Sequence, residues 1–203
     1  MNRLERLMWA AAFCLVAFFG VDARAQTATQ DSGGTYNFGH YYTYSVVAPD
    51  VATAASATDV VCISGSATRT VVLKKILLAG STTNATTVST HVNIVKRSTA
   101  NTGGTSTTPA IVPHDSQNAA ATAVVRAYTA NPTTGTLVGN IAGMQMIFAV
   151  TADWPATLYI NFGENGMQGI ILRGTSESAC VNLNGATVTT SGALDASFEW
   201  IEQ

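Results

Sequence analysis

Apolar and polar residues alternate with a period of two along most of this chain. Tyr42, Tyr44 and Val46 fall on one face of an extended segment, and Tyr41, Thr43 and Ser45 on the other. Val88, Thr90, Val92 and Ile94 alternate with Ser89, His91, Asn93 and Val95. Met144, Met146, Phe148 and Val150 share a face, as do Leu158, Ile160 and Phe162. Ala179, Val181 and Leu183 oppose Ser178, Cys180 and Asn182, while Ala196, Phe198 and Trp200 oppose Ser197, Glu199 and Ile201. A strand turns each side chain 180° from its neighbour, so the pattern predicts half-buried sheets. No segment carries a helical stripe longer than two turns. Composition agrees: threonine, whose branched Cβ suits a strand better than a helix, occurs 29 times. Charged residues are 11% of the chain, well below the roughly 25% of an ordinary soluble domain. A coiled coil, a basic nucleic-acid binder and a disordered acidic tail are excluded.

Turn chemistry separates the runs. Ser64-Gly65-Ser66 divides Val60–Ile63 from the run Thr70–Leu78, and Gly80 to Asn84 ends that run. Gly163 to Gly166 and Asn184-Gly185 are hairpin or loop signals. Eight to ten short strands at nearly regular spacing predict an all-β, antiparallel β-sandwich, jelly-roll-like in arrangement. The stretch 98–121 interrupts the rhythm as a long loop, with Ala119–Ala123 as one short helical turn inside it. A loop of that length is mobile or has a task.

Residues 1–25 read as a secretory signal. Arg3 and Arg6 form a positive start, Leu7 through Phe19 an uncharged apolar run, and Ala23-Arg24-Ala25 an A-x-A cleavage pattern. The run falls short of the about 20 apolar residues of a spanning helix, and no later segment is long and apolar enough to cross a membrane. The alternatives are an uncleaved anchor or a mis-assigned start. Residues 26–34 are small and polar, a flexible linker, and 35–203 make one β-sandwich domain. The 178 residues after position 25 carry a net charge of −3. Their basic pairs, Lys74-Lys75 and Lys96-Arg97, read as solvated strand faces and not as a nucleic-acid patch. Cys62 and Cys180 remain after cleavage. An even pair in an exported chain suggests a disulfide between neighbouring strands, the alternative being two buried free thiols.

The usual catalytic patterns are absent: no GxGxxG, no P-loop, no GxSxG elbow and no HExxH. His40, His91 and His114 are scattered, and two distant cysteines without a nearby His lack zinc-ligand spacing. His114-Asp115 is the one adjacent acid–base pair, and beside Pro113 it reads as a turn. Asp50, Asp59, Asp153 and Glu164 read as strand-end caps or solubilising groups. No catalytic residue, cofactor or metal is expected. Of the aromatic residues, Tyr42 and Tyr44 read as core. Trp154, between Asp153 and Pro155, is the one best placed in a loop for stacking on a sugar.

Three runs carry a resemblance: Val95–Thr107 (Val-Lys-Arg-Ser-Thr-Ala-Asn-Thr-Gly-Gly-Thr-Ser-Thr), Val112–Ser116 and Ala123–Thr133. Ile171–Ser176, Val181–Gly185 and Phe198–Trp200 extend it, so that it covers about residues 55–203. These runs resemble uncharacterised virion-associated β-sandwich proteins encoded in tailed-phage and prophage regions. The resemblance implies a structural role in which partners are further copies of the chain, a homotrimer included, or other surface or virion proteins. The signal and the cysteine pair depart from it and suggest a host-encoded relative sent to the periplasm, cell surface or exterior. The function expected is that of a non-enzymatic exported structural or surface-attachment protein. The alternative is a secreted carbohydrate-binding module, with a glycan as partner.

Overall fold

The computed structural model describes residues 41–53, 56–83, 87–150, 157–164, 168–183 and 192–203, with the backbone of 29–30 and 36–37. The signal, most of the linker, His40, Trp154 and Asn184-Gly185 lie outside the described residues. Two units are present. In the first, β1 (Thr29–Gln30) pairs antiparallel with β2 (Tyr36–Asn37). The second spans Tyr41–Gln203.

The second unit is all-β, with no helix among its described residues. Its strands are β3 (Tyr42–Ala52), β4 (Asp59–Ser64), β5 (Val71–Thr82), β6 (Val88–Arg97), β7 (Thr105–Thr107), β8 (Ile111–Pro113), β9 (Val124–Ala130), β10 (Leu137–Val150), β11 (Thr157–Asn161), β12 (Ile170–Leu172), β13 (Ser178–Asn182) and β14 (Gly192–Glu202). Hydrogen-bonded order is β7-β9-β4-β13-β6-β10-β5-β14-β3-β8, with β11 and β12 also on β5. Among the described residues only β10 and β5 run parallel, and only at Ala149↔Ser81 and Val150↔Thr82. That short seam joins two antiparallel halves into one mixed sheet curled on itself. The chain passes from half to half as β3, β4, β5, β6, and again as β10, β11, β13, β14. β3-β14-β5-β11 therefore face β4-β13-β6-β10, the nested jelly-roll path.

Tyr44, Leu73, Phe198 and Trp200 from one half share a core with Val61, Ile94, Phe148 and Val181 from the other. Alternation supplies these side chains, and where it breaks a bulge repairs it. In β5 the buried residues run Val71, Leu73, then Ile76, Leu78, a slip of one residue. The register shift opposite Glu199/Trp200 leaves Lys74 as the extra residue, so both apolar sets face inward.

Twelve strands stand among the described residues of this unit where eight to ten were expected, because β7, β8 and β12 have three residues each and show too little alternation to be read. The stretch 98–121 is correspondingly not one long loop. It contains β7 and β8, which close the two ends of the strand order. Gly103 and Gly104, at φ 63° and 68°, make the left-handed turn leading into β7. Residues 119–122 are not helical. Thr122 and Ala123 instead turn their N–H groups onto a buried carboxylate described below.

Candidate functional site

Two buried polar networks and one open strand edge are the distinctive features. The first network lies on the outer face of β4 and β13. A bulge at Val60, where pairing steps from Val181↔Val61 to Asn182↔Asp59, turns Asp59 to the same side as Cys62. Asp59 is fully buried, and Arg97 is 6% exposed. Arg97 grips the carboxylate with two N–H groups, Nε to Oδ2 at 2.5 Å and Nη2 to Oδ1 at 2.7 Å. Asn101 and Asn182 each donate an Nδ2 hydrogen at 2.8 Å. Arg97 also donates to the Gly135 carbonyl at 2.8 Å, and the Gly135 N–H donates to Asn101 Oδ1 at 2.8 Å. Segment 98–104 and segment 131–136 are thereby stitched to each other and to the sheet. Arg97 is thus not a solvated strand residue, nor Asp59 a strand-end cap: a carboxylate accepting four donors stands buried because a guanidinium neutralises it.

Cys62 and Cys180, opposed across β4 and β13 with Cα atoms 4.1 Å apart, are bonded to each other. They pack with Val95 and Tyr128 beneath Asn101. Such bonds form and persist mainly in oxidising compartments. Asp59, Cys62 and Cys180 lie close enough to suggest a metal triad. Their donors are spent, however, the sulfurs on each other and the carboxylate on Arg97, Asn101 and Asn182, so the set does not fit a cation.

The second network occupies one end of the core. Glu202, with a fully buried side chain, accepts from Thr122 N and Oγ1 at 2.9 and 2.6 Å, Ala123 N at 2.9 Å and Trp200 Nε1 at 3.2 Å. Burial by itself pushes its pKa up, but the hydrogen bonds from Thr122, Ala123 and Trp200 outweigh burial and hold it below the ordinary carboxylate value. Arg69 completes the group, 3.5 Å from Glu202, 3.3 Å from the Tyr44 hydroxyl and over the Tyr42 ring. Burial raises the Tyr44 phenol. The Tyr44 hydroxyl donates to the Ala119 carbonyl at 2.8 Å, and the Tyr44 ring stacks on Trp200. The donors of Thr122, Ala123, Trp200 and Tyr44 are all aimed at protein acceptors, so the cluster clamps segment 119–123 onto the core.

His114 is exposed, and Asp115 accepts from Gln117 N at 2.9 Å, closing a turn. His91 is exposed on β6. The basic side chains are largely answered: Lys75 by Glu199 at 2.9 Å, Lys96 by Glu177 at 3.4 Å, Arg97 by Asp59 and Arg69 by Glu202. No helix among the described residues is long and apolar enough to cross a membrane.

The open edge is β10, the longest strand. It pairs with β6 from Leu137 to Phe148, and on its other side meets β5 only at Ala149 and Val150. Among the described residues no strand covers that other side from Leu137 to Phe148, about 40 Å of edge at roughly 3.4 Å per residue. Leu137, Val138, Ile141 and Ile147 are exposed. The whole strand, Leu-Val-Gly-Asn-Ile-Ala-Gly-Met-Gln-Met-Ile-Phe-Ala-Val, has no charge and no proline. Alternation places Met144, Met146, Phe148 and Val150 on one face but gives no sign of the edge, because it reports a strand's faces and is blind to its neighbours. No protein-family model matches the chain, and neither does any curated protein or solved structure.

Proposed function

We propose that this chain is an exported, non-enzymatic structural protein that assembles with further copies of itself through the open edge of β10. One observation carries the reading: among the described residues the longest strand has most of one side unpaired, and it is devoid of the charges and prolines that ordinarily blunt an edge. The two terminal edges, by contrast, end in the three-residue strands β7 and β8, the latter closing on Pro113.

Bulges interrupt β10 as far as Ala142, so the regular edge is Ala142–Phe148. Antiparallel pairing of this segment with a second copy about Gln145 is self-complementary. Ile147 falls opposite Gly143, Met144 opposite Met146, and no like charges meet. Such a contact is isologous and closes as a two-fold pair. The buried disulfide supports an oxidising destination, and the resemblance to virion-associated sandwiches supports a role in which shape and contact do the work.

Light scattering after size exclusion on residues 26–203 tests this. We expect a dimer or higher species for the native chain and a monomer with an unchanged melting temperature for Ile147→Lys, whose side chain is exposed. A native chain that stays monomeric at high concentration overturns the proposal, as does an Ile147→Lys chain that still associates.

A further inference from the structure

The outer face of the β13-β6-β10 strands holds a cavity of about 260 Å³ whose lining includes Asn93, Asn140, Asn182, Arg97, Val95 and Leu137. Pairing explains the gathering of amides. Asn182 sits opposite Asn93, and Asn93 opposite Gly143, one row across three strands. Asn140 stands beside Val95 in the next row.

Asn93 is the telling residue. It is 5% exposed, yet its carboxamide has no hydrogen-bond partner among the described residues. Nor is it sealed away like the Thr58 and Thr90 hydroxyls, which are buried and unsatisfied; the Asn93 amide reaches the cavity. A buried amide without a partner costs about 1–3 kcal/mol, so a ligand that satisfies it gains accordingly. Room for it is reserved by Gly143, where a Cβ would come within 2.5 Å of Asn93 Oδ1.

We infer that this cavity binds one pyranose ring of a neutral carbohydrate. The Asn93 and Asn140 carboxamides each present a donor and an acceptor side by side, which matches vicinal hydroxyls that both donate and accept, while Asn182 is engaged by Asp59 and forms part of the wall. The Arg97 guanidinium is neutralised by Asp59, so the cavity offers no unspent charge to an anion. Val95 and Leu137 supply an apolar floor for the C–H face of a ring. The ligand is either a free sugar or the terminal residue of a glycan. The cavity shares β10 with the pairing edge, through Leu137, Asn140 and Gly143, but it opens on the face of the sheet and its ligand groups are the amides of Asn93 and Asn140, so the inference does not rest on assembly.

The experiment is a titration of the ¹⁵N-labelled Ile147→Lys chain and the native chain, followed through the side-chain amide resonances of Asn93 and Asn140. The probes are methyl glycosides and free forms of glucose, galactose, mannose and N-acetylglucosamine, taken to millimolar concentrations. At least one sugar should shift both amides, while inorganic phosphate and acetate leave them unmoved. Binding of the methyl glycoside and the free form alike marks a glycan terminus; binding of the free form alone marks a free sugar. Asn93→Ala should weaken binding at least tenfold, and Gly143→Ala, which displaces the Asn93 amide while keeping the residue, should do the same. Asn140→Ala, at an exposed position, should weaken it severalfold with the fold intact. No shift with any of the sugars overturns the inference. Equal shifts with phosphate, or native affinity in both Asn93→Ala and Asn140→Ala, do so too. Because Ile147→Lys is included, a failure of sugar binding is separable from a failure of self-association.

Discussion

Asp59 and Glu202 are single carboxylates with all their charge answered inside the protein, and each makes a sharp prediction. Removing Asp59 leaves the Arg97 guanidinium buried beside Asn101 and Asn182 with no counter-charge. Breaking a buried pair in this way costs about 3–5 kcal/mol, or about 6–20 °C in melting temperature for a domain of this size. Asp59→Ala should therefore melt well below the native chain by differential scanning calorimetry; a shift within error would show that Arg97 finds another partner. Glu202 yields a pH dependence. Its folded pKa is held below the unfolded value of about 4.3, so the unfolded chain takes up the proton first as pH falls. The stability that Glu202 contributes is whole above about pH 5 and is lost on acidification. Glu202→Gln should be less stable than native at pH 7, because a neutral amide accepts the Thr122, Ala123 and Trp200 donors more weakly. The gap should narrow towards pH 3, and thermal melts across that range that stay parallel would count against this assignment.

Paired elements carry the next prediction. The Cys62–Cys180 bond ties β4 to β13 and closes 118 residues of sequence. Chain-entropy reasoning assigns about 4.7 kcal/mol to a closed loop of about 100 residues. Reduction should lower the melting temperature, and the Cys62→Ala, Cys180→Ala double variant should melt at the reduced value and ignore reductant. An unchanged melt of the native chain in reductant would mean that strand pairing alone suffices. This element was legible early, because both cysteines fall on the less apolar face of their strands and an exported pair invites bonding. The cover above it was not. Asn101 lies in a stretch with loop composition, and its partners Asp59 and Gly135 are 42 and 34 residues away, beyond the reach of any local pattern.

At the scale of the molecule, assembly through β10 should respond to the edge and ignore the core. Met144→Lys and Ile147→Lys should each shift the native chain to monomer in light scattering, whereas Val47→Lys, on an exposed position of β3, should leave association as it is. If Val47→Lys also gives a monomer, the contact lies on the sheet face and not at the edge.

The class of fold was readable from residue order, because period-two alternation is a property of neighbours in the chain and each long strand displays it unaided. Tyr44 reads as core for that reason, and the core is where it lies, stacked on Trp200. Which carboxylate meets which guanidinium, that Arg97 is buried rather than solvated, that Asn93 faces a cavity and that β10 keeps one side open are facts about strands brought together from far along the chain. Local spacing records which face a side chain takes. It does not record what stands across from that face, and that opposition of distant strands is what sets the charge balance, the cavity and the free edge.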